Sequence, residues 1–129
     1  MTPNYAIYRR SYLSCQEVAR TFDYLPDADE KYPFIYIEKV PTGGEDETKD
    51  LTGVATQTIK MFATRSQLPE VDNKVARLRN LLLGQDEAFE YNLTRSSVEI
   101  TPMDANVQTQ AITQYIINYE VRYTKRRDR

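Results

Sequence analysis

The sequence predicts an α+β fold: a mainly antiparallel four-stranded sheet with two helices packed on it. Three observations lead there. Two segments place apolar residues at helical spacing, two pairs of segments are rich in β-branched and aromatic residues, and the order is helix, strand, strand, helix, strand, strand. The first helix is expected to open at Thr2-Pro3, as cap and first helical position. Tyr8, Tyr12, Cys15, Ala19 and Phe22 follow at spacings of three and four, so it should run to Phe22, before Leu25-Pro26. Cys15 lies on the apolar stripe and reads as a buried hydrophobe.

The first strand is expected over Phe34–Val40, between Pro33 and Pro41; its unbroken run Phe34–Ile37 suits a strand covered on both faces. Thr42–Asp50 is polar and holds four carboxylates, which predicts a mobile acidic loop joining a hairpin. Leu51–Thr64 is the second strand, with Ala55, Gln57, Ile59, Met61 and Ala63 on one side. Ser66 and Pro69 open the second helix. Val71, Val75, Leu78 and Leu82 form its core-facing stripe, and Gly84 reads as the residue just past its end. Ala88–Leu93 and Ser97–Thr101 read as strand, or as one strand bulged near Arg95, ended by Pro102 and a turn at Asp104–Asn106. In the last strand Tyr115, Ile117, Tyr119, Val121 and Tyr123 share one face. If that strand spans Gln110–Tyr123 it measures roughly 45 Å, longer than the ~35 Å diameter of a domain of this size. It must bend, bulge or project toward a neighbouring subunit, or else break near Thr113.

The 129 residues fit one domain, 1–129, with an acidic loop at 42–50 and a basic C-terminal tail at 125–129. No apolar stretch approaches the roughly 18 residues of a membrane span, and Met1–Leu13 carries tyrosines and an arginine pair in place of an apolar signal core. There is no histidine and only one cysteine, which removes imidazole bases, His-dependent triads and thiolate cages. Gly43-Gly44 is followed by Glu45, Asp46 and Glu47, which would repel a phosphate. Asp46, Glu47 and Asp50 lack the ordered ligand spacing of a calcium loop and read as solvated. The expectation is no catalytic residue, no metal and no cofactor.

Charge is unevenly placed. Residues 23–50 hold nine acids and three bases, and residues 122–129 hold five bases and one acid. An acidic and a basic surface on one chain suit a head-to-tail contact between copies. The candidate interface residues are Glu45, Asp46, Glu47 and Asp50 on the acidic side. On the basic side they are Arg122, Arg126 and Arg127, with apolar burial expected from Tyr119 and Tyr123.

Phe22-Asp23-Tyr24-Leu25-Pro26, Tyr32-Pro33-Phe34-Ile35-Tyr36-Ile37-Glu38, Thr56-Gln57-Thr58-Ile59, the helix ending Leu81-Leu82-Leu83-Gly84, and two closing strands follow in order along nearly the whole chain. In that order and spacing the chain resembles the tail terminator, or tail completion (head-to-tail joining), proteins of long-tailed bacteriophages. The acidic loop and the basic tail depart from that pattern. The resemblance implies a structural virion protein at the head–tail interface, assembled in the host cytoplasm. It implies a ring, commonly a hexamer, that caps the finished tail tube and presents a surface to the head connector or stopper, with DNA only passing through the lumen. No membrane and no catalysis are implied. A small non-enzymatic cellular binding domain or regulatory subunit is the alternative reading of the same residues.

Overall fold

A computed structural model describes residues 1–27, 30–39, 52–107 and 110–126. The elements are α1 (Pro3–Gln16), β1 (Thr21–Phe22), β2 (Phe34–Ile37), β3 (Thr52–Thr64), a 3-10 turn (Arg65–Gln67), α2 (Leu68–Leu83), β4 (Glu87–Ala88), β5 (Tyr91–Val107) and β6 (Gln110–Lys125). Two helices are present, as expected, but the sheet is not four-stranded and antiparallel. It is six-stranded and mixed, in the order β1-β2-β3-β6-β5-β4, and curls into a half-barrel. The two extra strands are two residues each, too short to leave a periodic signal in the sequence. β1 lies parallel to β2, with Thr21 opposite Ile35 and Phe22 opposite Tyr36.

That pairing also explains why α1 stops at Gln16 and not at Phe22. The amides of Glu17 and Val18 close the last turn on Ser14 and Cys15, and the Ile35 amide donates to the Arg20 carbonyl at 2.7 Å. Phe22 is therefore spent on the sheet, and the buried face of α1 is Ala6, Ile7, Tyr8, Ser11, Ser14 and Cys15. Thr2 caps the helix by accepting the Tyr5 amide. In α2 the expected stripe holds: Val71, Val75, Leu78 and Leu82 are all buried. Each such side chain contributes about 1.5–3 kcal/mol by leaving water. Gly84 caps α2 in a right-handed conformation, φ −83°, so its freedom to take positive φ is not used.

The central ladder joins β3 to β6 without a slip from Thr52–Thr124 to Thr64–Ile112. β5 and β6 form one hairpin, paired from Tyr91–Lys125 to Val107–Gln110, with a register shift between Thr94 and Ser97 where Arg95 takes φ 51°. The bulge is where the sequence placed it. The turn is not: β5 runs through Pro102 and past Asp104, and β6 runs unbroken through Thr113. Proline is tolerated there because β5 bonds β6 on one side only, leaving the missing N–H on the open side. At about 3.4 Å per residue, the 16 residues of β6 span roughly 54 Å. A curled sheet accommodates that length.

Strand alternation sorts the sheet into two faces. Ile35, Ile37, Ile59, Met61, Ile117, Tyr119, Val121 and Tyr123 join the helices in the main core. Phe34, Tyr36, Phe62, Ile112 and Gln114 point the other way, and the β1–β2 connection folds over that end of the outer face.

Candidate functional site

The interface candidates fall into three groups. Glu45, Asp46, Glu47, Asp50 and Arg127 lie outside the described residues, as does the loop 42–50. Tyr119 and Tyr123 are not surface residues: both are 0% exposed, and they cannot supply the apolar contact between copies assigned to them from sequence. Their face of β6 is the one the helices cover. Tyr123 packs edge-on to Tyr91 at 5.7 Å, and the Tyr119 hydroxyl accepts from Gln85 Nε2 at 3.3 Å. Burial pushes the Tyr119 hydroxyl up to about 12, with the Gln85 hydrogen bond and the Arg10 charge acting against it.

Arg126 is committed within its own chain. Its guanidinium donates to the carbonyls of Phe89 and Tyr91 and to the Asn92 side chain, and it pairs with Glu87 at 3.3 Å. Its amide donates to the Glu90 carbonyl. It clamps the β4–β5 turn and is not the free arm the charge pattern suggested. Arg122 is exposed on the outer face of β6, opposite Val54 and Thr94.

Cys15 is fully buried and burial pushes its thiol well up, so it is chemically quiet. Among the described residues no three His, Cys, Asp or Glu side chains cluster to hold a metal. No helix among them is long and apolar enough to cross a membrane. Tyr8 donates to Asp23 at 2.9 Å; its hydroxyl is shifted upward by burial and by that carboxylate, which makes it a poor acid at neutral pH.

What remains is surface. β4 covers only Tyr91 and Asn92 of β5, and the Leu93 amide finds the Asp86 carbonyl at 2.9 Å. From Ser97 to Val107 no described strand pairs with the outer side of β5. That leaves a strand edge of about 35 Å with half its backbone groups turned outward.

Exposed large apolar side chains form two groups. One is Tyr5 on α1 with Phe89 in the β4–β5 turn, where Arg9 lies over both rings at 5.7 Å. The other is Tyr24, Leu25 and, from β5, Met103. Leu25 stands at the mouth of a groove of about 450 Å³ on the outer face, lined by Tyr32, Phe34, Tyr36, Phe62 and Ile112. Phe34 organises it, stacking on Phe62 at 5.1 Å and touching Tyr32 at 5.4 Å and Phe22 at 5.9 Å. Asp27 and Lys60 supply its charges.

Sequence reasoning missed both corners. The unbroken Phe34–Ile37 run did signal cover on both faces, but which residue of β3 opposes Phe34 is set by register. Ala88-Phe89-Glu90-Tyr91 contains none of the glycine or asparagine that marks a tight hairpin. No protein-family model matches the chain, and no curated protein matches it.

Proposed function

We propose that the chain is a structural virion protein that caps a completed phage tail tube as an oligomeric ring and offers a joining surface to the head connector. The observation that carries the reading is the outer edge of β5 from Ser97 to Val107, left unpaired by every described strand, toward one end of a sheet whose other end is the two-residue β1. A long unpaired edge invites another chain, and monomeric proteins normally cover or charge it. Two unlike sheet ends on one chain suit a heterologous contact, which closes into a ring when the rotation closes. The order of motifs along the sequence supports the tail-terminator role for that ring. In this reading the protein performs no catalysis and needs no cofactor. Its partners are its own copies, the tail tube protein and the connector.

The test adds the purified protein to polymerising tail tubes and follows tube growth, with negative-stain images of tube ends. The expected result is arrested growth with a ring of added density at one end. Thr101→Lys and Met103→Lys together, which put two charges along the open edge, should weaken capping while leaving the folded spectrum intact. Tubes that keep growing and carry no added density would refute the role.

A further inference from the structure

We infer that Phe89 is a docking knob that enters the outer-face aromatic groove of the next copy. The inference rests on the ring reading above and specifies its contact. Phe89 and Glu90 form a two-residue connection between Ala88 and Tyr91, and Phe89 takes φ 56°. Glycine or asparagine adopts that backbone cheaply, whereas an aromatic residue is strained there. The strain is held in place by Arg126, which binds the Phe89 carbonyl with its guanidinium and the Glu90 carbonyl with its amide. The ring so presented is 39% exposed and contributes nothing to the main core. A strained, clamped and exposed aromatic is what a binding anchor looks like.

The groove is the complementary feature. It is apolar, is walled by five aromatic or aliphatic side chains, and at about 450 Å³ is larger than a phenyl ring. It lies against β2, near one end of the strand order, whereas Phe89 joins β4 to β5 at the other. One chain cannot bring the two together, but successive chains placed sheet end to sheet end can. The charges agree. Arg9 stacks on Phe89, Asp27 lines the groove, both are exposed, and neither has an ion-pair partner among the described residues. Docking Phe89 carries Arg9 toward Asp27 of the neighbour.

The test has two arms, both on the full-length chain. Arg9→Cys and Asp27→Cys chains, which keep Phe89 and the apolar walls of the groove intact, are mixed at about 0.5 mM, where even millimolar contacts are populated, and oxidised. Cys15 is buried and does not interfere. A disulfide joining position 9 of one chain to position 27 of the other is expected, in clear excess over the yield from Arg9→Cys with Glu120→Cys. Position 120 lies on the outer face of β6, about 20 Å beyond Gln114 of the groove. Equal yields, or no heterodimer from either pair, overturn the contact. In the second arm Phe89→Gly, which relieves the backbone strain, should match or exceed wild type in thermal stability yet cap tubes at least about tenfold more weakly. If wild type caps tubes and Phe89→Gly caps them equally, the knob is wrong and the ring reading stands. If wild type ignores tube ends while the 9–27 disulfide forms, the self-contact stands and the capping role falls.

Discussion

Gln85 is the side chain whose loss should hurt this fold most for its size. It follows the Gly84 cap of α2 and is only 3% exposed. Its Oε1 accepts from Ser14 Oγ at 2.6 Å, and its Nε2 donates to the Tyr119 hydroxyl at 3.3 Å and to Ser11 Oγ at 3.5 Å. One amide thus ties α1 and β6 to the end of α2, among groups that are themselves essentially dry. Gln85→Ala would strand the Ser14 and Tyr119 hydroxyls. Ser14 keeps only the bond it accepts from Arg10 at 3.3 Å. An orphaned buried polar group costs about 1–3 kcal/mol, so two of them and the vacated volume together cost about 3–5 kcal/mol. A domain of this size is stable by about 5–15 kcal/mol, so about a fifth or more of the stability is at stake. With an unfolding entropy of about 2.1 cal/mol/K per residue, each 1 kcal/mol moves the melting temperature by about 4 °C, giving a drop of about 10–20 °C. Urea unfolding followed by tyrosine fluorescence and far-ultraviolet circular dichroism measures it; there are ten tyrosines and no tryptophan. Placing the substitution in a Tyr119→Phe background should reduce its cost by about 1 kcal/mol, since one stranded hydroxyl is gone. A loss below 1 kcal/mol in the parent would refute the claim that this amide holds three elements together.

Two further outcomes follow from the same contacts. The Tyr119 hydroxyl titrates near 10 when unfolded and about 12 when folded, so the folded state holds its proton more tightly. Its contribution is complete below pH 10 and is lost as pH rises to 12, amounting to roughly 3 kcal/mol; stability curves against pH should steepen there, and Tyr119→Phe should flatten part of that slope. Arg126→Gln removes the clamp on the Phe89 and Tyr91 carbonyls and should lower stability by about 1 kcal/mol, with faster hydrogen exchange confined to the β4–β5 turn; unchanged exchange at residues 87–92 would show that the turn holds itself.

Local chemistry alone settled a good deal of this protein. The four-and-three stepping of Val71, Val75, Leu78 and Leu82 fixes α2, and the alternation around Tyr115–Tyr123 fixes β6, because burying one face of a long element outweighs any single residue's preference. The irregularity at Arg95 was legible because the alternation changes phase there. The absence of histidine and the lone Cys15 leave no imidazole base and no thiolate cage, a limit that composition sets by itself. Tertiary structure decided the rest. Thr21–Phe22 and Glu87–Ala88 became strands because a neighbouring strand offered backbone partners, a preference that two residues cannot encode by themselves. The side of β6 that the helices cover made Tyr119 and Tyr123 core residues, and the position of the β4–β5 turn made Arg126 a clamp. A tyrosine row or an arginine cluster looks the same in sequence whether it faces solvent or its own chain. Burial is a property of what packs against a residue, and for Phe89 and the Phe34–Phe62 groove that is set by contacts between segments far apart in the chain.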